Sequence, residues 1–81
     1  MTRIQKERFI NVEDYEKVKD SYLLKGEHLK LLKKEAIILH PLPRVNEIDQ
    51  VIDRDSRACY FRQAQNGLYV RMAIFLYIFG L

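Results

Sequence analysis

Apolar positions along this chain fall into two helical rhythms, one short apolar run and one polar interval. Tyr15, Val18 and Tyr22 recur at helical spacing after Asn11-Val12-Glu13-Asp14. Asn11 suits a helix cap, and Glu13 and Asp14 suit the positive end of the helix. Gly26 lies past the end of that helix as a natural break. A second, short helix over Glu27–Lys34 lays Leu29 and Leu32 toward a core. Ala36-Ile37-Ile38-Leu39 is a continuous apolar run and predicts a buried strand. Residues 45–55 are polar and loop-like, with Asp49, Asp53 and Asp55. A long helical pattern then runs from about Ser56 to Phe79, with Gly67 inside it. From Leu68 onward it is apolar nearly all round, and such a helix must be buried on most sides. One strand and two short helices offer little cover, so the cover is expected from another part of a longer chain or from a partner.

Directly after the apolar run comes His40-Pro41-Leu42-Pro43-Arg44. Proline fixes φ and has no backbone N–H, and each residue before a proline is pushed out of the helical region. The run predicts a rigid turn whose carbonyls are free to face a ligand. The end of a strand in an α/β sheet is where ligands bind. Near the start, residues 2–6 read as the end of a strand, which sets Arg3 and Gln5 on one face. A guanidinium beside an amide suits an amino-acid carboxylate, because arginine presents paired donors.

Composition narrows the picture. At 81 residues with 48% hydrophobic content, the chain is at most one small domain and is not disordered in type. The 14 basic and 11 acidic residues, net +3, are interleaved, without the basic stripe that nucleic acid requires. The single cysteine, Cys59, excludes an internal disulfide and fits a reducing, cytoplasmic setting. Its plain reading is a small packed residue in a helix. His28 reads as a solvated helix residue, and His40 as a hydrogen-bonded structural histidine. Neither has ligand spacing for a metal, and no cofactor-binding motif is visible. Met1–Lys6 carries no apolar signal segment. The stretch Leu68–Leu81, with Arg71 inside it, is shorter than the roughly 20 residues of a membrane span.

Three stretches carry a family resemblance. They are Thr2-Arg3-Ile4-Gln5-Lys6-Glu7-Arg8-Phe9, then His40-Pro41-Leu42-Pro43-Arg44-Val45, then Tyr60-Phe61-Arg62-Gln63-Ala64 with Asn66-Gly67-Leu68-Tyr69-Val70-Arg71-Met72-Ala73. In order and spacing the chain resembles the C-terminal part of the aspartate carbamoyltransferase catalytic chain. The related ornithine enzymes carry a cysteine in the histidine-proline motif, and Pro41 and Leu42 favour the aspartate type. Asn46, Ser56 and Cys59 depart from residues common in the family, and none of them falls on an implied ligand contact.

The resemblance implies an enzyme that moves the carbamoyl group from carbamoyl phosphate to L-aspartate in pyrimidine synthesis, without a cofactor. It implies an α/β fold, here a partial Rossmann-like parallel-sheet domain with a long apolar C-terminal helix. Arg3 and Gln5 would bind L-aspartate, and the Leu42 and Pro43 backbone would accept from the carbamoyl amino group across a cis Leu42–Pro43 bond. Lys6, Glu7, Arg8 and Tyr15 would act in loop closure. The partners implied are a homotrimer of catalytic chains and, in some members, regulatory chains, with no nucleic acid and no membrane. The carbamoyl-phosphate domain and the first part of the aspartate domain have no counterpart in these 81 residues. The expectation is therefore a C-terminal fragment, inactive by itself. The rival expectation is a non-catalytic interaction module that docks through its apolar C-terminal helix.

Overall fold

The last quarter of the chain is one helix, α2, over Tyr60–Phe79. A computed structural model describes all of residues 1–81. Before α2 come a 3-10 turn at Lys6–Arg8, helix α1 at Val12–Val18, and 3-10 segments at Gly26–Leu31 and Gln50–Arg54. Helix α2 ends on Gly80 in the left-handed region (φ 69°), a conformation glycine adopts freely. Leu81 N–H closes the end by donating to the Leu76 carbonyl at 3.0 Å.

The core is small. Ile38, Ile48, Ile52 and Tyr60 are buried, with Leu24, Leu29, Leu32, Leu42 and Ala58 packed against them. Leu29 and Leu32 therefore face the core as their spacing predicts. The polar interval 45–55 does not stay a loop. It puts Ile48 and Ile52 at the centre of the core and forms the 3-10 segment Gln50–Arg54, whose buried residue is Ile52. That segment lies so close to Gly26 that a Cβ there would sit 2.8 Å from Val51 Cγ1.

The expected parallel sheet is absent from the chain. Two isolated parallel bridges replace it, Leu24 with Ile48 and Ile38 with Ala58. Ile38 N–H donates to the Arg57 carbonyl at 2.7 Å, and the Ile38 carbonyl accepts from Cys59 N–H at 2.9 Å. A strand buried on both faces needs neighbours on both edges. The run Ala36–Leu39 meets one partner residue, and Ile37 remains exposed.

Helix boundaries also differ from the apolar rhythm. Helix α1 stops at Val18, and Tyr22 lies beyond it, exposed. Asn11 occupies the cap position but makes no side-chain cap bond. Helix α2 starts at Tyr60 rather than Ser56, because Ala58 N–H closes a turn onto the Asp55 carbonyl (3.0 Å) and Ala58 is held in the bridge to Ile38. Cys59 thus caps the helix instead of lying within it. Just ahead of it, the Arg57 guanidinium grips Asp55 at 2.9 Å and donates to the Leu32 carbonyl at 3.1 Å. That pairing holds the Asp55 carboxyl down at about 2.

The long helix is not apolar throughout. Its first half carries Arg62, Gln63, Gln65 and Asn66, and the apolar run begins past Arg71. Every large apolar side chain from Leu68 to Phe79 is at least 50% exposed. No helix is long and apolar enough to cross a membrane.

Candidate functional site around the His40–Arg44 turn

The turn is built on the Ile38 bridge and held from three directions. His40 N–H donates to the Gln63 side-chain oxygen on α2 at 2.8 Å. Leu42 N–H donates to His40 Nδ1 at 2.7 Å. Downstream, the Arg44 guanidinium makes a two-pronged ion pair with Asp53, one contact being Nη2 to Oδ2 at 2.6 Å. Tyr60 O–H donates to the same carboxylate, and Arg44 lies over the Tyr60 ring. Arg44 and the Tyr60 hydroxyl hold the Asp53 carboxyl below its usual value, and burial pushes Tyr60 up to about 12.

Between these anchors the backbone takes an unusual path. Leu42 has φ 52°, in the left-handed region that side chains other than glycine seldom occupy. The Leu42–Pro43 peptide is cis. Neither the Leu42 nor the Pro43 carbonyl accepts a hydrogen bond within the chain. Two unpaired acceptors on a firmly held turn suit a ligand that offers N–H donors.

His40 and Glu47 form a buried pair behind the turn, 1% and 5% exposed. Glu47 Oε1 accepts from Val45 N–H at 2.6 Å and lies 3.6 Å from His40 Nε2. That nitrogen is fully enclosed and has no hydrogen-bond partner. Burial pushes the His40 imidazole below its usual value, with Glu47 opposing the shift.

The second group of candidates gathers at the start of the chain. Arg3 is not beside Gln5 on a strand, because residues 2–5 form none. Its guanidinium pairs with Glu7 at 2.9 Å, one turn on. The pairing lowers the Glu7 carboxyl, with the Arg3 hydrogen bond as the leading cause. Gln5 is extended, its carbonyl accepts from Arg8 N–H at 3.1 Å, and its side chain makes no hydrogen bond within the chain. Lys6 Nζ sits 5.9 Å over the Tyr15 ring, and Phe9 meets that ring edge-on at 5.7 Å. Lys6, Glu7 and Tyr15 thus tie the 3-10 turn to Arg3 on one side and to α1 on the other. Arg8 makes no side-chain hydrogen bond or ion pair. The two groups approach each other where the Met1 amino group donates to the Leu39 carbonyl at 3.0 Å.

A cleft of about 250 Å³ lined by Pro41, Gln63, Ala64, Gly67 and Arg71 borders the turn. Three of the residues that hold the turn went unmarked as functional in the sequence: Glu47, Asp53 and Gln63. Their shared signal was polarity close to an apolar core position: Glu47 precedes Ile48, Asp53 follows Ile52, and Gln63 lies a turn after Tyr60.

The family model for the Asp/Orn-binding domain of aspartate/ornithine carbamoyltransferase matches residues 1–78. The chain belongs to this carbamoyltransferase family. It is 61% identical over 80 residues to the aspartate carbamoyltransferase catalytic subunit of Clostridium acetobutylicum, covering 99% of this chain and 26% of that relative. The corresponding subunit of Alkaliphilus oremlandii is 62% identical over 80 residues, covering 99% and 24%. Among solved structures, an aspartate transcarbamoylase from Trypanosoma cruzi in complex with carbamoyl phosphate superposes with TM-score 0.81 at 38% identity. That match covers 91% of this chain and 24% of the other. The catalytic subunit of the M. jannaschii aspartate transcarbamoylase gives 0.69 at 54% identity, covering 91% and 24%. This carbamoyltransferase chain therefore spans about a quarter of the length of the relatives it matches.

Proposed function

We propose that this chain is the C-terminal part of the aspartate-binding domain of an aspartate carbamoyltransferase. The parent reaction moves the carbamoyl group of carbamoyl phosphate to the amino group of L-aspartate, in the cytoplasmic synthesis of pyrimidines. The observation that carries this reading is the turn itself: His40-Pro41-Leu42-Pro43, with two unpaired carbonyls on a backbone anchored at His40 and Arg44. A histidine-proline-leucine run without cysteine fits the aspartate branch, as do relatives described as aspartate carbamoyltransferase catalytic subunits. The solved T. cruzi relatives include one described with both carbamoyl phosphate and aspartate.

In this reading the Leu42 and Pro43 carbonyls accept from the carbamoyl amino group. Arg3 and Gln5 take the aspartate carboxylate, while Glu7 holds the Arg3 guanidinium and leaves donors on its far side. Lys6, Glu7, Arg8 and Tyr15 close the loop over the substrate. The neutral amine attacks the carbamoyl carbon, a C–N bond forms, the C–O bond to phosphate breaks, and the amine loses one proton. The chain's contribution is positioning, which shortens the approach of the reacting atoms. The bridge at Ile38 would extend into a Rossmann-like parallel sheet in the complete domain, within a homotrimer. By itself the 81-residue chain would be inactive, since it spans only about a quarter of the length of the catalytic subunits it matches.

The test is Arg3→Ala in the full-length chain. The KM for aspartate should rise at least about tenfold, the scale of one charge-assisted hydrogen bond, with carbamoyl-phosphate binding unchanged. An equal loss of both would contradict the role given to Arg3. The exposed apolar end of α2 favours a second reading, in which the short chain alone docks onto full-length catalytic chains. Co-purification of the two at equal stoichiometry would favour it, and their separation would count against it.

A further inference from the structure

Leu42 stands in the left-handed region with its N–H bonded to the side chain two residues before it. Because Leu42 N–H donates to His40 Nδ1 at 2.7 Å, that nitrogen must present a lone pair. In a neutral imidazole the proton then sits on Nε2. Nε2 is enclosed, has no hydrogen-bond partner, and faces the Glu47 carboxylate at 3.6 Å, beyond hydrogen-bond length but close enough for its charge to favour an N–H there. Glu47 is itself fixed by Val45 N–H, on the far side of the turn. We propose that His40 is a positioning residue: held as its Nε2–H tautomer by Glu47, it locks Leu42 in its left-handed conformation and so aims the Leu42 carbonyl at the carbamoyl group. This rests on the carbamoyltransferase reading above. It assigns to His40 a task apart from contact with substrate, since the imidazole is almost wholly buried.

The two histidine nitrogens can be replaced separately. Asparagine keeps an acceptor near the Nδ1 position, whereas glutamine carries its polar group out to the Nε2 position. In the full-length enzyme, His40→Gln should raise the KM for carbamoyl phosphate about tenfold, the scale of one hydrogen bond, and His40→Asn should restore it to within about twofold of the parent. Unchanged KM in both variants overturns the proposal. So does an equal fall of kcat in both with KM unaltered, because a packing role would not distinguish the two nitrogens. If His40→Gln does not fold, nitrogen-15 NMR of the histidine-labelled parent enzyme decides. A proton on Nε2 with Nδ1 as acceptor supports the proposal, and a proton on Nδ1 overturns it. A parent enzyme that transfers no carbamoyl group at all would instead refute the functional reading. An active parent with indifferent His40 variants refutes only the role of His40.

Discussion

Asp53 shows how much one side chain carries. It receives the Arg44 fork and the Tyr60 hydroxyl together, and so joins the end of the proline turn to the first turn of α2. Tyr60→Phe in the full-length chain should cost about 1.5–3 kcal/mol at neutral pH, as expected for a hydrogen bond to a charged group. The cost depends on pH with a definite sign. The Asp53 carboxyl is depressed in the fold from an ordinary value of 3.8, so the contribution is complete above that value and is lost as pH falls through the lower folded value. Urea unfolding of both proteins at neutral pH, and again well below 3.8, should show the difference shrinking. A constant difference would place the hydroxyl's partner elsewhere. The proline turn was legible from the residues because proline acts locally, on its own φ and its neighbour's. The Asp53 link was not, because it joins residues that are separated in sequence and share no periodicity.

Elements were legible in proportion to how local their causes are. Helix α2 was readable because its pattern repeats over 20 residues. The strand at Ala36–Leu39 was not, since a ladder needs partners that the apolar run itself does not specify. The 3-10 segment Gln50–Arg54 was hidden by its charges. Its one buried residue, Ile52, lies close to charged ones and carries no periodicity. Gly67 gives the clearest prediction here. It lies inside α2, and a Cβ added there would meet only Arg71 Nη1 at 3.6 Å, an ordinary contact. Gly67→Ala should therefore stabilise the full-length protein by up to about 1 kcal/mol through helix propensity, read as a higher unfolding midpoint. A lower midpoint would show another segment packed against the Gly67 backbone.

Taken whole, the chain is broad and thin. Its radius of gyration is 16.3 Å, with extents of 48 × 39 × 16 Å. A self-contained domain of this length has a radius near about 12 Å. Only 6 of 81 residues are buried, and the apolar end of α2 lies open. A contiguous exposed apolar face on this scale marks an interaction surface or an aggregation site. The isolated 81-residue chain should self-associate, bind a hydrophobic dye and melt without a sharp transition, as sedimentation and calorimetry would show. A monodisperse monomer with a cooperative melt would contradict this. The mismatch between the apolar stripe and its cover was already visible in the amino-acid pattern; the identity of the cover is not written in these residues.

The Gln63 bond to His40 N–H has a consequence for how the molecule communicates. It couples helix α2 directly to the backbone of the proline turn. Thermodynamic linkage then runs in both directions. If loading the turn with ligand changes how tightly α2 is gripped by whatever covers it, that grip must change ligand affinity by the same factor. A side-chain amide on the polar half of a helix would thus serve as the point through which assembly and occupancy report on each other.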